Sequence, residues 1–199
     1  MGISNVKGVA FFTDSIGFGS NSKPNTGYIN HISWQYPHPI IRPSFNWMGS
    51  PQHIQNILDD KSHELKDVNT CWVNCGIWDA SDNGITPKTS LEEYRNNLEF
   101  LTGVLSARYE NVQWCGSTRA AGGTSQHRIL KFNHEIQKYD DVMIEVAQRH
   151  GHLVFSMQWL QGVLGWKPLQ SSAPVEVHFS NESVRDQASV IAGFLKARA

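Results

Sequence analysis

Short apolar runs of strand length alternate with longer stretches of helical period along this chain, and that alternation limits its fold more than any other feature. Residues 6–13 (VKGVAFFT), 69–76 (NTCWVNCG), 111–118 (NVQWCGST) and 151–156 (GHLVFS) each predict a short buried strand, several of them closed by glycine or serine. Between them, Leu91, Tyr94, Leu98, Leu101 and Leu105 recur at threes and fours, and Ser90 with Glu93 forms a capping box. The same period runs through Ile129, Phe132, Ile136, Met143 and Val146, and again through Val184, Ala188, Ile191 and Leu195. A shorter helix is expected over 51–58, with Ser50 as its cap and Pro51 in the first turn. The strand feeding it, near PIIRPSFNW, is broken by prolines and has the weakest pattern of the set.

Alternating strand and helix predict an α/β protein: one three-layer α/β/α domain over residues 1–199 with a mainly parallel, flavodoxin-like sheet. Ligands of such folds sit at the carboxyl ends of the strands. Ser15, Gly49, Gly76 to Asp79, and Ser117 to Gly123 all fall at that edge.

Charge narrows the partners. The net charge is −1, with signs interspersed and no basic stripe, so neither nucleic acid nor an anionic membrane is the expected partner. No apolar run approaches the roughly 18–20 residues that span a bilayer. The N-terminal residues lack the basic flank and long apolar core of a signal peptide, and a cytoplasmic location is expected. Cys71, Cys75 and Cys115 are expected as buried free thiols, because same-face neighbours in one strand do not bridge easily. His150 and His152 lie close together, but no cysteine or acid cluster completes a zinc site, so no metal or other cofactor is expected.

The stretch FFTDSIGFG, residues 11–19, leaves an apolar strand through an acid and a serine, with two glycines following. A serine hydroxyl is a weak nucleophile until a base takes its proton and N–H donors stabilise the oxyanion. Of the nine histidines, His178 stands apart: it precedes the last helix in the irregular segment APVEVHFSNES, which returns it to the edge that holds Ser15. STRAAGGTS (117–125) lacks the Gly-Lys-Ser/Thr ending of a phosphate loop and reads as a flexible loop over that edge, with Arg119 turned toward a polar substrate.

In the order of these blocks the chain resembles the SGNH (GDSL-type) hydrolases over nearly its whole length. FTDSIGFG is similar to the family's first block, with Thr13 where glycine is usual, and the resemblance implies that Ser15 is the nucleophile. FNWMGSPQHIQNIL is similar to the second block, which implies an oxyanion N–H from Gly49. VNCGIWDAS resembles the third, with Trp78 at the usual position of the oxyanion asparagine and Asn74 as an alternative donor. VEVHFSNES resembles the last, with His178 as base. The activity implied is a serine esterase or acylhydrolase acting on a small acyl ester, such as an O-acetyl group on a carbohydrate. Acyl transfer with the same residues and an inactive binding module are the alternatives.

Two positions depart from the pattern. Val175 stands three residues before His178, where the family places its aspartate. A backbone carbonyl, Glu176, or an acid from another loop such as Asp79 or Asp82 is left to orient the imidazole. A Ser–His dyad held by a carbonyl is expected, since Glu176 is off by one residue and would point elsewhere from a tight turn. Asn74 either reaches the oxyanion or satisfies backbone groups, and Trp78 either walls an acyl or sugar pocket or packs under a loop.

Overall fold

The computed structural model describes residues 7–18, 27–41, 51–60, 65, 68–80, 87–120 and 122–197. Five strands form one parallel sheet in the order β2-β1-β3-β4-β5: β1 (Val9–Thr13), β2 (Ile40–Ile41), β3 (Thr70–Asn74), β4 (Asn111–Gly116) and β5 (Leu153–Ser156). The helices are α1 (Ser15–Phe18), α2 (Ile29–Ile32), α3 (Pro51–Asp60), α4 (Ile77–Ala80), α5 (Leu91–Arg108), α6 (Gln126–Arg149), α7 (Met157–Leu164) and α8 (Asn181–Lys196). This is the parallel, doubly wound arrangement that the alternating pattern predicts.

Both faces of the sheet are covered, and for that reason β1 and β3 are buried at every position rather than at alternate ones. On one side Phe194 of α8 packs on Trp72 of β3 and Phe155 of β5, with α2 beside α8. On the other, α5 packs against α6 through Tyr94 and Tyr139, and α3 lies against α5. Ser90 caps α5 by accepting from the Glu93 N–H at 3.2 Å, the first half of the expected capping box. Cys71, Cys75 and Cys115 are free and buried, and burial pushes all three thiols up, away from thiolate reactivity. Of the proline-broken segment, the described residues 39–41 hold the two-residue β2; residues 42–47 and Ser50 lie outside the described residues. The helix α7, which no sequence pattern marked, buries Met157 and packs Leu160 partly against the core, a short inward stripe.

Strand order sets the position of the site. The chain steps from β1 outward to β2 and then back across β1 to β3, so the crevice above the carboxyl ends of β1 and β3 is the switch point of the sheet. Ser15 begins α1 directly after β1, and Ile77 begins α4 just beyond β3. Gly76 makes the second exit: its φ of +115° suits glycine, and a Cβ there would stand 2.8 Å from the Tyr94 hydroxyl oxygen.

Candidate active site

Ser15 is held at the first turn of α1 by its neighbour. Asp14 ends the strand with Oδ1 accepting from the Ile16 N–H at 2.8 Å and its carbonyl accepting from the Gly17 N–H at 3.1 Å. A Cβ at position 17 would lie 1.9 Å from Thr13 Oγ1. The Thr13 side chain is therefore accommodated by glycine at position 17. Burial pushes the Asp14 carboxyl up to about 7, opposed by the Ile16 N–H and reinforced by the charge of Asp140.

His178 arrives from the other end of the chain. The segment before α8 folds back on itself: the Leu169 N–H donates to the His178 carbonyl at 2.9 Å, and Pro168 pairs with Phe179. This places His178 Nε2 3.1 Å from Ser15 Oγ, across 163 positions of sequence. The two residues that the sequence nominates as nucleophile and base thus lie within hydrogen-bonding distance.

Glu176 corrects the sequence expectation. Its Oε1 lies 2.9 Å from His178 Nδ1 and accepts from the His178 backbone N–H, also at 2.9 Å. The carboxylate folds back onto the residue two positions on, as short acidic side chains do in turns. Burial alone would raise the Glu176 carboxyl, but the His178 backbone N–H, the imidazole and the Ser171 hydroxyl outweigh it and hold the carboxyl below its ordinary value. An ionised carboxylate on Nδ1 requires the proton to sit on that nitrogen, leaving Nε2 free to accept from Ser15 Oγ.

The loop expected over the active edge instead braces this carboxylate. Glu176 N donates to Gly122 O at 2.8 Å, Thr124 N to Ala173 O at 2.9 Å, and Ser125 N to Pro174 O at 3.1 Å. Gly123, at φ +122°, allows the approach: a Cβ there would stand 2.6 Å from the Pro174 carbonyl oxygen. Arg119 does not face a substrate. It turns inward, pairing with Asp140 Oδ2 at 2.8 Å and donating to Ser117 O, Gln137 Oε1 and Gln158 Oε1. Both partners of the ion pair are nearly excluded from solvent, at 11% and 5% exposure. Arg119→Ala would leave buried Asp140 without its cation, held by the Ser117 N–H at 3.1 Å; we expect a loss of about 3–5 kcal/mol in urea unfolding at neutral pH. Replacing both partners with apolar residues should recover most of that loss.

A cavity of about 330 Å³ opens beside Ser15 and His178. Its walls are mostly apolar, with Ile77 and Trp78 from α4, Phe132 from α6, and Pro174, Val175 and Val177 from the segment that carries the base. Trp78 therefore stands on the wall, with Lys88 Nζ 4.6 Å from its ring centroid. Asn74 does not line the cavity: it is buried in the sheet, its Nδ2 donating to the Cys115 carbonyl at 2.9 Å and tying β3 to β4. Gly49 and Asp82 lie outside the described residues. The helical period of α6 marked Phe132 as core; its second role, on the cavity wall, had no sequence signal.

Asp79 is not at the imidazole either. Its Oδ1 accepts from Thr89 Oγ1 at 2.8 Å, and burial pushes the carboxyl up to about 7, against the opposing Thr89 bond. A raised carboxyl pKa means that the folded state holds its proton after the unfolded chain has lost it. The contribution is thus full below about pH 4 and is lost as pH rises through about 7. Asp79→Asn should gain stability relative to the parent between pH 5 and pH 8, on the order of 3 kcal/mol, measured by chemical unfolding at both pH values. Among the described residues no group of three or more His, Cys, Asp or Glu has a metal-binding arrangement. His152 in particular is engaged at both ring nitrogens, by Trp114 Nε1 at 3.0 Å and Ser106 Oγ at 2.9 Å.

A five-stranded parallel sheet with helices on both faces is the three-layer α/β/α fold of the SGNH hydrolases. Solved structures bear this out: the chain is similar to a lipase/acylhydrolase from Enterococcus faecalis, at 18% identity over 96% of both chains and a TM-score of 0.73. It is also similar to Axe2, an acetylxylan esterase from Geobacillus stearothermophilus, at 15% identity over 98% of this chain and 96% of that one, with a TM-score of 0.66. TesA superposes over 96% of this chain and 99% of its own, at 14% identity and a TM-score of 0.71. No family profile matches the chain, and no curated protein matches it by sequence.

Proposed function

We propose that the protein is a serine ester hydrolase that works through an acyl-enzyme. The observation that carries this reading is the continuous relay from Ser15 Oγ to His178 Nε2 and from His178 Nδ1 to Glu176 Oε1, set beside a cavity. Ser15 Oγ attacks the ester carbonyl as its proton passes to His178 Nε2; the imidazolium that forms is stabilised by the Glu176 carboxylate. The oxyanion is held by the Ser15 N–H and, following the family resemblance, by the Gly49 N–H. His178 then protonates the leaving alcohol, and a water activated by the same nitrogen releases the acid. Asn74, spent on the Cys115 carbonyl, has a sheet-tying role in this scheme, and Trp78 is a substrate wall.

The substrate we infer is a small acyl ester, with an O-acetylated carbohydrate as the leading candidate. The likeness to an acetylxylan esterase supports that choice. An inactive binding module is the weaker reading, because Val175 no longer implies a missing acid once Glu176 occupies the imidazole. Treating the protein with a fluorophosphonate and mapping the adduct tests the proposal. A single adduct on the Ser15 peptide, lost in Ser15→Ala, is expected. An unlabelled native protein, under conditions that label a control hydrolase, would leave the binding module standing.

A further inference from the structure

The helix α7 carries apolar side chains on two sides. Met157 and Leu160 pack against the core. Its glutamines bind Arg119: Gln158 Oε1 accepts from Arg119 Nη2 at 2.7 Å, and Gln161 exchanges bonds with the Arg119 backbone N–H and carbonyl at 2.7 and 2.9 Å. The second apolar set forms an inverted face turned to water, with Trp159 65% exposed, Val163 60% and Leu164 46%. The buried Arg119–Asp140 pair fixes this orientation, so the helix cannot roll its apolar side inward without breaking those bonds.

Three further features accompany the inverted face. A shallow groove of about 390 Å³ lies on it, lined by Ser156, Gln158, Trp159, Gly162 and Val163. Gly162 weakens a helix interior, and among the described residues no heavy atom lies within 4 Å of the place where its Cβ would stand, so the position is open on its outer side. The neighbouring β5 is an edge strand that carries none of the lysine, proline or bulges that usually guard an edge.

We propose that this face is the interface of a two-fold homodimer, the Trp159 ring of each copy filling the groove beside Gly162 of the other. A protruding ring and a recess on one helix make the surface self-complementary, as a two-fold contact requires. Charge favours a second copy over other occupants. Residues 153–166 contain no Asp, Glu, Lys, Arg or His, so the face meets its own copy with no like-charge contact, and the net charge of −1 adds little repulsion. It also lacks the basic residues by which helices hold an anionic membrane surface.

Sedimentation equilibrium of the full chain over a wide concentration range is the test, with Trp159→Lys and Gly162→Leu as variants. The parent should be a dimer and both variants monomers, with unchanged far-UV circular dichroism. Gly162→Leu should melt no lower than the parent monomer, since leucine is the better helix former and has open space, which separates dissociation from unfolding. A parent that stays monomeric at every concentration overturns the proposal, as do variants that remain dimeric. Co-sedimentation of a monomeric parent with phosphatidylcholine vesicles, abolished by Trp159→Lys, would overturn it in favour of a lipid surface.

Discussion

On the proposed mechanism, His178→Ala is expected to lower turnover of an activated ester by about 10⁶, with the double variant carrying Ser15→Ala no worse than either single one. The expectation follows from the 3.1 Å contact between Nε2 and Ser15 Oγ. Without the imidazole, the serine hydroxyl has no acceptor for its proton, so removing the base and removing the nucleophile disable one unit and not two. Measured kcat for the three variants, beside unchanged unfolding curves, checks this. A loss of only a few-fold at His178 would mean that another group activates Ser15, and the mechanism would fail with it.

Glu176→Gln has the second-largest effect, about 10⁴ in kcat with little change in KM, by analogy with the loss of a triad carboxylate in an unrelated protease. The neutral amide can still touch Nδ1, but it neither fixes the proton there nor offsets the imidazolium charge. Two outcomes separate this arrangement from a ring held by a backbone carbonyl. A carbonyl-held ring would leave Glu176→Gln within a few-fold of the parent. A carboxylate-held ring predicts that Glu176→Asp, one methylene shorter at a position already one residue close, also loses activity. The two hydrogen bonds that Glu176 Oε1 accepts, from the His178 backbone N–H and from Nδ1, favour the second.

How much of the site was legible depended on the reach of each interaction. Ser15 and His178 were readable because each sits at a strand exit or helix entrance, where local pattern marks a break in the chain. Glu176 was misjudged because its placement depends on two remote contacts. Gly122 accepts from its backbone N–H, and the Thr124 and Ser125 N–H groups bind the carbonyls just before it. Nothing within VEVHFSNES specifies those bonds. Arg119 was misjudged for a similar reason: its partners, Asp140, Gln137 and Gln158, come from two helices distant in sequence.

The sequence by itself determined the fold class. Apolar runs of strand length, helical periods, the Ser90 cap and the glycines at strand exits are local signals, and a parallel sheet is the architecture that buries them all. Tertiary structure alone decided which acid orients His178, which way Arg119 turns, and which face of α7 meets water. Each of those is a choice among side-chain directions that local pattern leaves equal in energy. The choice falls to whichever direction satisfies a buried charge or a buried backbone group, because leaving one unpaired costs more than exposing an apolar surface.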